Sequence, residues 1–285
     1  MMSHPLARRW LAVLAAGLAV AALAMVGGCG TGAAPSTDQR SPAGGTGGTS
    51  TSGTGGASVV QPPETTPAAK GNTSPTPSSS ATTLADRSVF FAHNSVGQNI
   101  LDGLRAIDAS LTIVSGEQVG AAAFTEWTMG FNGDPVGKLG EFERLMAGGG
   151  GAAQIAVFKL CYADFETDTD VTQLFDEYVA TFDRLEIAHP DVTFVHVTAP
   201  LYAYDASWNN SVQHAFNERL RAEYGGMVFD LAQVEATDAQ GQPVWSRDGI
   251  TPALAEEWSA DGSHLNEAGS RQVAAALLAF LSQLP

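Results

Sequence analysis

The chain has 285 residues, of which 44% are hydrophobic and 15% are charged, and its formal net charge is −16 at pH 7. Residues 1–28 contain two arginines and no acidic residue, so the remainder has 12 basic and 30 acidic residues and a formal charge of −18. Because affinity for nucleic acids comes from basic groups that neutralise phosphates, this balance argues against nucleic acid and other polyanions as partners.

The N-terminal segment has the pattern of an export signal. Arg8 and Arg9 precede an uninterrupted apolar run from Trp10 to Val26. The next residues, Gly27–Cys29, make the segment resemble a bacterial lipoprotein signal, in which small residues precede a cysteine that is lipid-modified after cleavage. The alternative is an uncleaved membrane anchor, since the run is near the lower limit of about 17 residues for a spanning helix. We predict a signal peptide at 1–28, lipidation of Cys29, and export to a bacterial membrane surface.

Residues 29–86 consist largely of Gly, Ser, Thr, Pro and Ala, with almost no large apolar side chain. Such a segment cannot bury enough apolar surface to offset the entropy lost on folding, so we predict a disordered tether. A flexible coil of about 55 residues has a root-mean-square reach of roughly 40 Å, enough to hold a domain clear of a membrane. The remaining residues, 87–285, are enough for one domain with a substantial core.

The predicted domain alternates between strand-like and helix-like segments. Apolar runs typical of strands lie at Ser88–Ala92, Leu111–Val114, Ile155–Leu160, Val192–Val197 and Met227–Phe229. Apolar residues at helical spacing follow the first run (Ile100, Leu104, Ile107) and occur again in the last segment (Val273, Leu277, Phe280, Leu281). This alternation predicts an α/β fold, a three-layer α/β/α sandwich around a mostly parallel sheet of about five strands.

The first strand-like run breaks at a serine. The stretch VFFAHNSVGQNI, Val89–Ile100, is apolar up to His93 and then passes through Asn94 and Ser95 into a helical pattern. Ligands of parallel α/β sheets bind beyond the carboxyl ends of the strands, which is where Ser95 is expected to lie. A serine at the entrance to a helix is one way to present a nucleophile, although Ser-x-Gly is also ordinary turn chemistry. His93, two residues before Ser95, is interpreted as a hydrogen-bonded residue at the end of the strand, and the alternative is that it assists in the site.

A possible base and its partner lie near the other end of the chain. In DGSHLNEAG, Asp261 and His264 are three residues apart on a glycine-containing loop, and Asn266 is a plausible cap for the last helix. A histidine base needs a carboxylate on its other ring nitrogen to fix the tautomer and stabilise the imidazolium. The alternative is that Asp261 and Gly262 form a turn and that His264 is a surface residue.

The remaining cysteine and histidines do not indicate a disulfide framework or a metal site. If Cys29 carries lipid, Cys161 has no partner within the chain, and a lone thiol at a strand end is usually inert packing. Histidines at 93, 189, 196, 214 and 264 show no spacing typical of metal ligands. His196, inside an apolar run, is interpreted as buried and hydrogen-bonded. We expect no cofactor and no metal.

Taken together, four blocks resemble the SGNH hydrolases, also called GDSL esterases, over nearly the whole predicted domain. The blocks are Asn94-Ser95 at the end of the first strand, NGDPVGKLGEFERLM from Asn132, LCYADF from Leu160, and DGSHLNEAG from Asp261. The last block is the most specific match, and the first is degenerate because Asn94 replaces the family's aspartate. An α/β-hydrolase elbow, G-x-S-x-G, fits less well, since this chain has H-x-S-x-G and its acid stands three residues before its histidine.

The resemblance implies a role for each matched residue. Ser95 inherits the role of nucleophile, His264 that of base, and Asp261 that of the acid behind it. The Ser95 amide and the Gly133 amide, with Asn132 beside it, would donate to the oxyanion. In the third block Cys161 replaces the family's glycine, Asp164 matches its aspartate, and Ala163 replaces the asparagine that supplies a third oxyanion donor. Losing one such donor typically lowers turnover by roughly 100- to 1,000-fold. Asn132, Tyr162 and Asn94 are the candidates to replace it.

Large aromatic residues fall in segments expected at the mouth of the site. They are Trp127, Tyr202, Tyr204, Trp208 and Trp258. Rings of this kind can stack on sugar faces, and they can equally cover hydrophobic edges.

Three functions are consistent with these features. The first is an extracytoplasmic serine esterase that hydrolyses acyl esters of a small molecule or polysaccharide, with carbohydrate-linked O-acetyl groups favoured. The second is an O-acyltransferase that uses the same Ser95 acyl-enzyme. The third, which Ala163 motivates, is a non-catalytic polysaccharide-binding lipoprotein on an SGNH scaffold. The fold alone does not distinguish them.

Overall fold

A computed structural model describes residues 84–121, 123–203 and 207–285. Of residue 85 and residues 207–209 it describes the backbone but not the side chains. The predicted signal peptide, Cys29 and the predicted tether up to residue 83 lie outside the described residues. Within the described part of the chain, no helix combines the length and the apolar character needed to cross a membrane.

The centre of the domain is a parallel sheet. Its strands are β1 (Val89–His93), β2 (Ile113–Ser115), β3 (Phe124–Thr128), β4 (Ile155–Lys159), β5 (Thr193–Val197) and β6 (Val228–Phe229). Their order across the sheet is β2-β3-β1-β4-β5-β6, and all neighbouring pairs are parallel. In the register, Ala92 of β1 lies opposite Trp127 of β3 on one side and opposite Phe158 of β4 on the other.

Helices connect these strands and cover both faces of the sheet. They are α1 (Val96–Ile107), α2 (Pro135–Ala147), α3 (Val171–Ala188), α4 (Ser207–Tyr224), α5 (Leu231–Glu235) and α6 (Glu267–Leu281). Several begin at polar caps that accept a hydrogen bond from an amide of the first turn: Asp134 for α2, Asp170 for α3, Asp230 for α5 and Asn266 for α6. The predicted cap at Asn266 is therefore confirmed.

The side chains of each central strand alternate between two cores. Val89 and Phe91 of β1 point to a core shared with α1, α5 and α6, whereas Phe90 and Ala92 point to a core shared with α2, α3 and α4. The second core is rich in aromatic rings, including Phe90, Phe142, Phe158, Tyr178, Phe182, Phe194 and Phe216. Because both faces of a covered parallel sheet are buried, the strands are continuously apolar, as the sequence indicates.

The predicted three-layer α/β/α fold is confirmed, with one strand more than expected. The additional strand is β3, whose sequence FTEWT mixes apolar and polar residues. Its first two residues are buried, Glu126 and Trp127 are half-buried, and Thr128 is exposed. This strand lacks the apolar run that identified the others, because it lies one strand away from the edge of the sheet and its carboxyl end emerges toward solvent.

The order of the strands creates a crevice next to β1. The chain leaves β1 for β2 and β3 on one side of the sheet and then returns to β4 on the other side of β1. At such a switch point the loops that follow the two central strands diverge, and the space between them is the usual ligand-binding position of an open α/β sheet. The residues that follow β1 and β4 include Ser95 and Tyr162.

Candidate active site

The backbone at Ser95 is strained in a way that exposes its side chain. Ser95 immediately precedes α1, with φ 50° and ψ −108°, and it is the only non-glycine residue of the described chain with a positive φ. A side chain in this conformation costs about 1–3 kcal/mol, and such outliers cluster at functional sites. Gly97 is also required, since a Cβ there would lie 2.4–2.5 Å from atoms of the buried His93 side chain.

A buried lysine holds the backbone just ahead of Ser95. Lys159, the last residue of β4, is fully buried, and its Nζ donates to the carbonyl oxygens of Asn94 at 3.2 Å and of Leu160 at 3.1 Å. Burial lowers the pKa of this ammonium. The nearby carboxyl of Glu235 is also fully buried, and burial raises its pKa to about 8. Lys159 thus ties the loop after β1 to the loop after β4.

The loop before α6 folds around the Asp261 carboxylate. One carboxylate oxygen accepts from the backbone amides of His264 at 2.8 Å and Ser263 at 2.9 Å, and the other lies 2.7 Å from His264 Nδ1. The hydrogen bond from the His264 amide, followed by that from its ring, holds the pKa of Asp261 well below its usual range. The carboxylate is therefore ionised at neutral pH, and it favours the tautomer of His264 that carries a proton on Nδ1.

Close packing of α1 against α6 brings the two ends of the chain together. A Cβ at Gly103 of α1 would lie 2.1 Å from the carbonyl oxygen of Ser270 and 2.9 Å from the side chain of Ala274, so only glycine allows this approach. Nearer the site, the amide of Leu265 donates to Asn99 Oδ1 at 3.3 Å. These contacts fix the start of α6, and with it His264, beside the start of α1.

As a result, Ser95 and His264 are in direct contact although 169 residues separate them. Ser95 Oγ lies 2.7 Å from His264 Nε2, and His264 Nδ1 lies 2.7 Å from Asp261 Oδ2. The three side chains form a relay of hydroxyl, imidazole and carboxylate with hydrogen-bond distances throughout. The site is open to solvent, since the side chains of His264 and Asp261 are 38% and 54% exposed.

The second block lies differently from what the resemblance implies. The amide of Gly133 donates to Asp164 Oδ1 at 2.9 Å, and Asn132 Oδ1 accepts from Lys138 Nζ at 2.9 Å. An amide has one proton, and in this structure the Gly133 N–H gives it to Asp164. The Ser95 amide remains, at the N-terminus of α1, where helix amides and the helix dipole favour negative charge.

Asp164 organises the loops around the site. Its carboxylate accepts two hydrogen bonds from Lys138 Nζ, at 2.7 and 2.8 Å, one from the Gly133 amide, and one from the Cys161 amide at 2.7 Å. Both charged side chains are completely buried. This ion pair joins the start of α2 to the turn after β4. Lys138 gave no signal in the sequence, because its spacing is that of an ordinary exposed helix residue.

The expected aromatic mouth is only partly found. Trp127 packs against the aromatic core and its Nε1 donates to Glu141 Oε1 at 3.0 Å, while Trp258 packs on the opposite core and donates to the Thr237 carbonyl at 2.7 Å. These contacts are packing contacts, and both residues remain half-buried. The Tyr202 ring packs against the Tyr162 ring, with centroids 4.8 Å apart and ring planes inclined at 57°. Tyr204 and the side chain of Trp208 lie outside the described residues.

Tyr162 lies closer to the reacting atoms than the sequence suggested. Its hydroxyl is 3.0 Å from His264 Nε2 and 3.4 Å from Ser95 Oγ. The sequence identified this residue only as one of three substitutes for the missing asparagine. Its position directly after β4, at the switch point beside β1, is the signal that singles it out once the strand order is known.

The other singled-out residues are buried. His93 Nε2 lies 3.0 Å from Glu126 Oε2, and burial lowers the pKa of His93 to about 4. His196 contacts the Tyr178 hydroxyl through Nδ1 at 2.9 Å, and burial lowers its pKa to about 3. Cys161 is a buried free thiol. In the described part of the chain, no group of three His, Cys, Asp or Glu side chains is placed to hold a metal ion.

Comparisons with known proteins found similar solved structures. A member of the lipolytic protein G-D-S-L family from Veillonella parvula is 16% identical, with a TM-score of 0.47, over 69% of this chain and 98% of that chain. An acetyl xylan esterase is 14% identical, with a TM-score of 0.44, over 67% and 98% of the two chains. A peptidoglycan O-acetylesterase is 17% identical, with a TM-score of 0.42, over 58% and 48%. No protein-family model and no curated protein matches the chain. By its own parallel sheet and by the order of Ser95, Asp261 and His264, the chain resembles the SGNH hydrolases in fold as well as in sequence motifs.

Proposed function

We propose that this chain is a serine ester hydrolase of the SGNH type, with Ser95, His264 and Asp261 as its catalytic triad. The observation that carries the proposal is the relay itself: Ser95 Oγ lies 2.7 Å from His264 Nε2, and Asp261 Oδ2 lies 2.7 Å from Nδ1. In such a relay the imidazole takes the serine proton as Oγ attacks an acyl carbon, and the carboxylate stabilises the imidazolium.

The two half-reactions follow from the same geometry. In acylation the ester carbonyl carbon bonds to Ser95 Oγ, its bond to the alcohol oxygen breaks, and His264 returns the proton to that oxygen. In deacylation a water loses a proton to His264 and its oxygen bonds to the acyl carbon; the bond to Ser95 Oγ then breaks, and His264 returns the proton to Oγ. The Ser95 amide, at the start of α1, supplies a donor for the charge that develops on the carbonyl oxygen.

The proposed substrates are O-acetyl groups carried by carbohydrates. The side chains of His264 and Asp261 are partly exposed to solvent, so the triad is accessible to an ester attached to a large chain. The strongly acidic composition of the chain favours neutral over anionic substrates. Among the candidate aromatic side chains that the structure describes, the Tyr202 ring, which packs on Tyr162 beside the triad, is the one placed to contact a sugar.

An organophosphonate probe tests the assignment of the nucleophile. We expect it to modify Ser95 and to abolish hydrolysis of small acetyl esters by the full chain, because the probe traps a serine that a neighbouring base activates. Peptide mass spectrometry identifies the modified residue. Labelling without hydrolysis would indicate acyl transfer to another acceptor, and an unlabelled, inert protein would favour a binding role.

We also propose that the enzyme acts outside the cytoplasmic membrane, anchored by lipid at Cys29. The support is the sequence pattern of Arg8, Arg9, the apolar run Trp10–Val26 and the following Gly27–Cys29. We expect Cys29→Ala to move the protein from the membrane fraction to the soluble fraction of cells that process bacterial lipoproteins. The mass of the mature N-terminus gives an independent measurement. A wild-type protein that still begins at Met1 without lipid would contradict the proposal.

A further inference from the structure

The hydroxyl of Tyr162 completes a triangle with the two reacting side chains. It lies 3.0 Å from His264 Nε2 and 3.4 Å from Ser95 Oγ, and these two atoms are 2.7 Å apart. Within the described residues, no other side chain has a polar atom in hydrogen-bond contact with both Ser95 and His264.

The position of this hydroxyl is set from several sides. The Tyr162 ring packs on Tyr202 at 4.8 Å between centroids and meets the His264 ring edge-on at 5.6 Å. Its backbone carbonyl accepts from the buried Gln213 side chain at 3.1 Å. Two residues later, Asp164 anchors the same turn to Lys138. The hydroxyl is therefore positioned by contacts of the Tyr162 ring, its backbone carbonyl and the turn to which it belongs.

The other candidates to replace the family's asparagine have different partners. Asn132 accepts from Lys138, and Asn94 Nδ2 donates to the Gly130 carbonyl at 3.3 Å. The Gly133 amide donates to Asp164. Of these groups, only the phenol has its polar atom at Ser95 and His264.

The triangle also indicates which substrate oxygen the phenol contacts, the leaving alcohol oxygen or the carbonyl oxygen. Neutral His264, with its proton on Nδ1, has one lone pair on Nε2, and the shorter contact gives that lone pair to the Ser95 hydroxyl. With its own proton given to Nε2, Ser95 Oγ can accept from the Tyr162 hydroxyl at 3.4 Å, and when substrate binds the same phenol proton can pass to an oxygen that lies within reach of both Oγ and Nε2. In acyl transfer this oxygen is the one of the leaving alcohol, because it is bonded to the carbon that Oγ attacks and receives the proton from Nε2. The carbonyl oxygen, by contrast, does not receive the proton that His264 Nε2 transfers.

We propose that Tyr162 is a catalytic residue that donates a hydrogen bond to the leaving alcohol oxygen. The inference rests on the proposed esterase function. As the bond between the acyl carbon and this oxygen breaks, the electron pair goes to the oxygen and the Nε2 proton of imidazolium follows it. Tyr162 keeps its own proton, and its hydrogen bond stabilises the negative charge that develops on the leaving oxygen before Nε2 protonates it. In deacylation the same hydroxyl positions the attacking water, whose proton goes to His264.

The test compares two acetyl esters with different leaving groups in Tyr162→Phe. Ethyl acetate releases a poor leaving group that needs protonation, whereas 4-nitrophenyl acetate releases a stable phenolate. We expect kcat/KM for ethyl acetate to fall by about 10- to 100-fold, because one hydrogen bond to a charged oxygen contributes a factor of this size. The value of kcat/KM for 4-nitrophenyl acetate should change much less, because its leaving group needs no such hydrogen bond. Active-site concentrations are taken from the organophosphonate titration, so a partly misfolded variant does not distort the ratio.

A matched control removes a hydroxyl elsewhere. Tyr178→Phe deletes a buried phenol oxygen that contacts His196 in the aromatic core, and its kcat/KM ratio for the two esters is expected to equal that of the wild type. Equal losses on both esters in Tyr162→Phe would overturn the assignment to the leaving group, and so would no loss on either. A wild-type protein inert toward both esters would overturn the proposed function and this inference with it.

Discussion

Ser95→Ala and His264→Ala are expected to lower kcat for acetyl ester hydrolysis by similar factors, about 10³ to 10⁶, because the members of a hydrogen-bonded relay act as one unit. The double variant should lose little more than either single variant. Asp261→Asn should lose less, since it keeps the nucleophile and base and disturbs only the tautomer and the stabilisation of imidazolium. Steady-state kinetics on a small acetyl ester, with the full chain, measure all four proteins.

Ser282→Ala is a suitable control for these variants. The Ser282 hydroxyl donates only to the Ala279 carbonyl at the end of α6, far along that helix from His264, so its removal should leave kcat unchanged. The assignment of the triad would be wrong if Ser95→Ala kept full activity, or if losses in the Ser95→Ala and His264→Ala variants multiplied in the double variant.

Asp164→Ala is expected to have the largest effect on stability among single substitutions near the site. It leaves the Lys138 ammonium fully buried without its carboxylate, and it also removes the acceptor for the Gly133 and Cys161 amides. Removing one partner of a buried ion pair typically costs about 3–5 kcal/mol in the free energy of unfolding. Urea denaturation followed by circular dichroism measures this loss.

Two further variants test whether the loss of stability arises from leaving a buried charge unpaired or from breaking an ion pair in general. Lys138→Met combined with Asp164→Leu removes both charges, and it should restore a large part of the stability because no unpaired ion remains. On the surface, Glu143→Ala breaks the exposed pair with Arg184 and should cost less than about 1 kcal/mol. If Asp164→Ala lowered the free energy of unfolding no more than Glu143→Ala, the buried ion pair would not hold the start of α2 to the turn after β4.

The sequence was sufficient to predict those elements whose own residues carry a recognisable pattern. Strands such as Val89–His93 and Ile155–Lys159 are covered on both faces, so each is a nearly continuous apolar run, and Asn266 precedes a helix in the usual cap position. β3 was missed because its exposed end interrupts this pattern. The proximity of Ser95 to His264 came from a family resemblance, since nothing local connects residues 169 positions apart.

Features that depend on tertiary packing were beyond the sequence. The bond from Gly133 to Asp164 exists because Lys138 draws that carboxylate toward the start of α2, and helical spacing alone would place Lys138 in water. Tyr162 becomes distinct from Asn94 and Asn132 only when the strand order places the turn after β4 beside β1.

Lys159 did carry a signal in the sequence, since a lysine that ends a buried strand requires partners, and here these are the carbonyls of Asn94 and Leu160.

The left-handed backbone at Ser95 has a consequence for how sequences related to this one change over time. At φ 50° and ψ −108° a serine is less stable than a glycine, which adopts such angles without a Cβ clash. Selection for folding alone therefore disfavours the serine, whereas the proposed ester chemistry would retain it. In a lineage that kept this domain as a binding module, residue 95 would be among the first to drift, and glycine would be its most accessible destination. A serine preserved at this position across divergent descendants would accordingly be a record of continuous catalytic use.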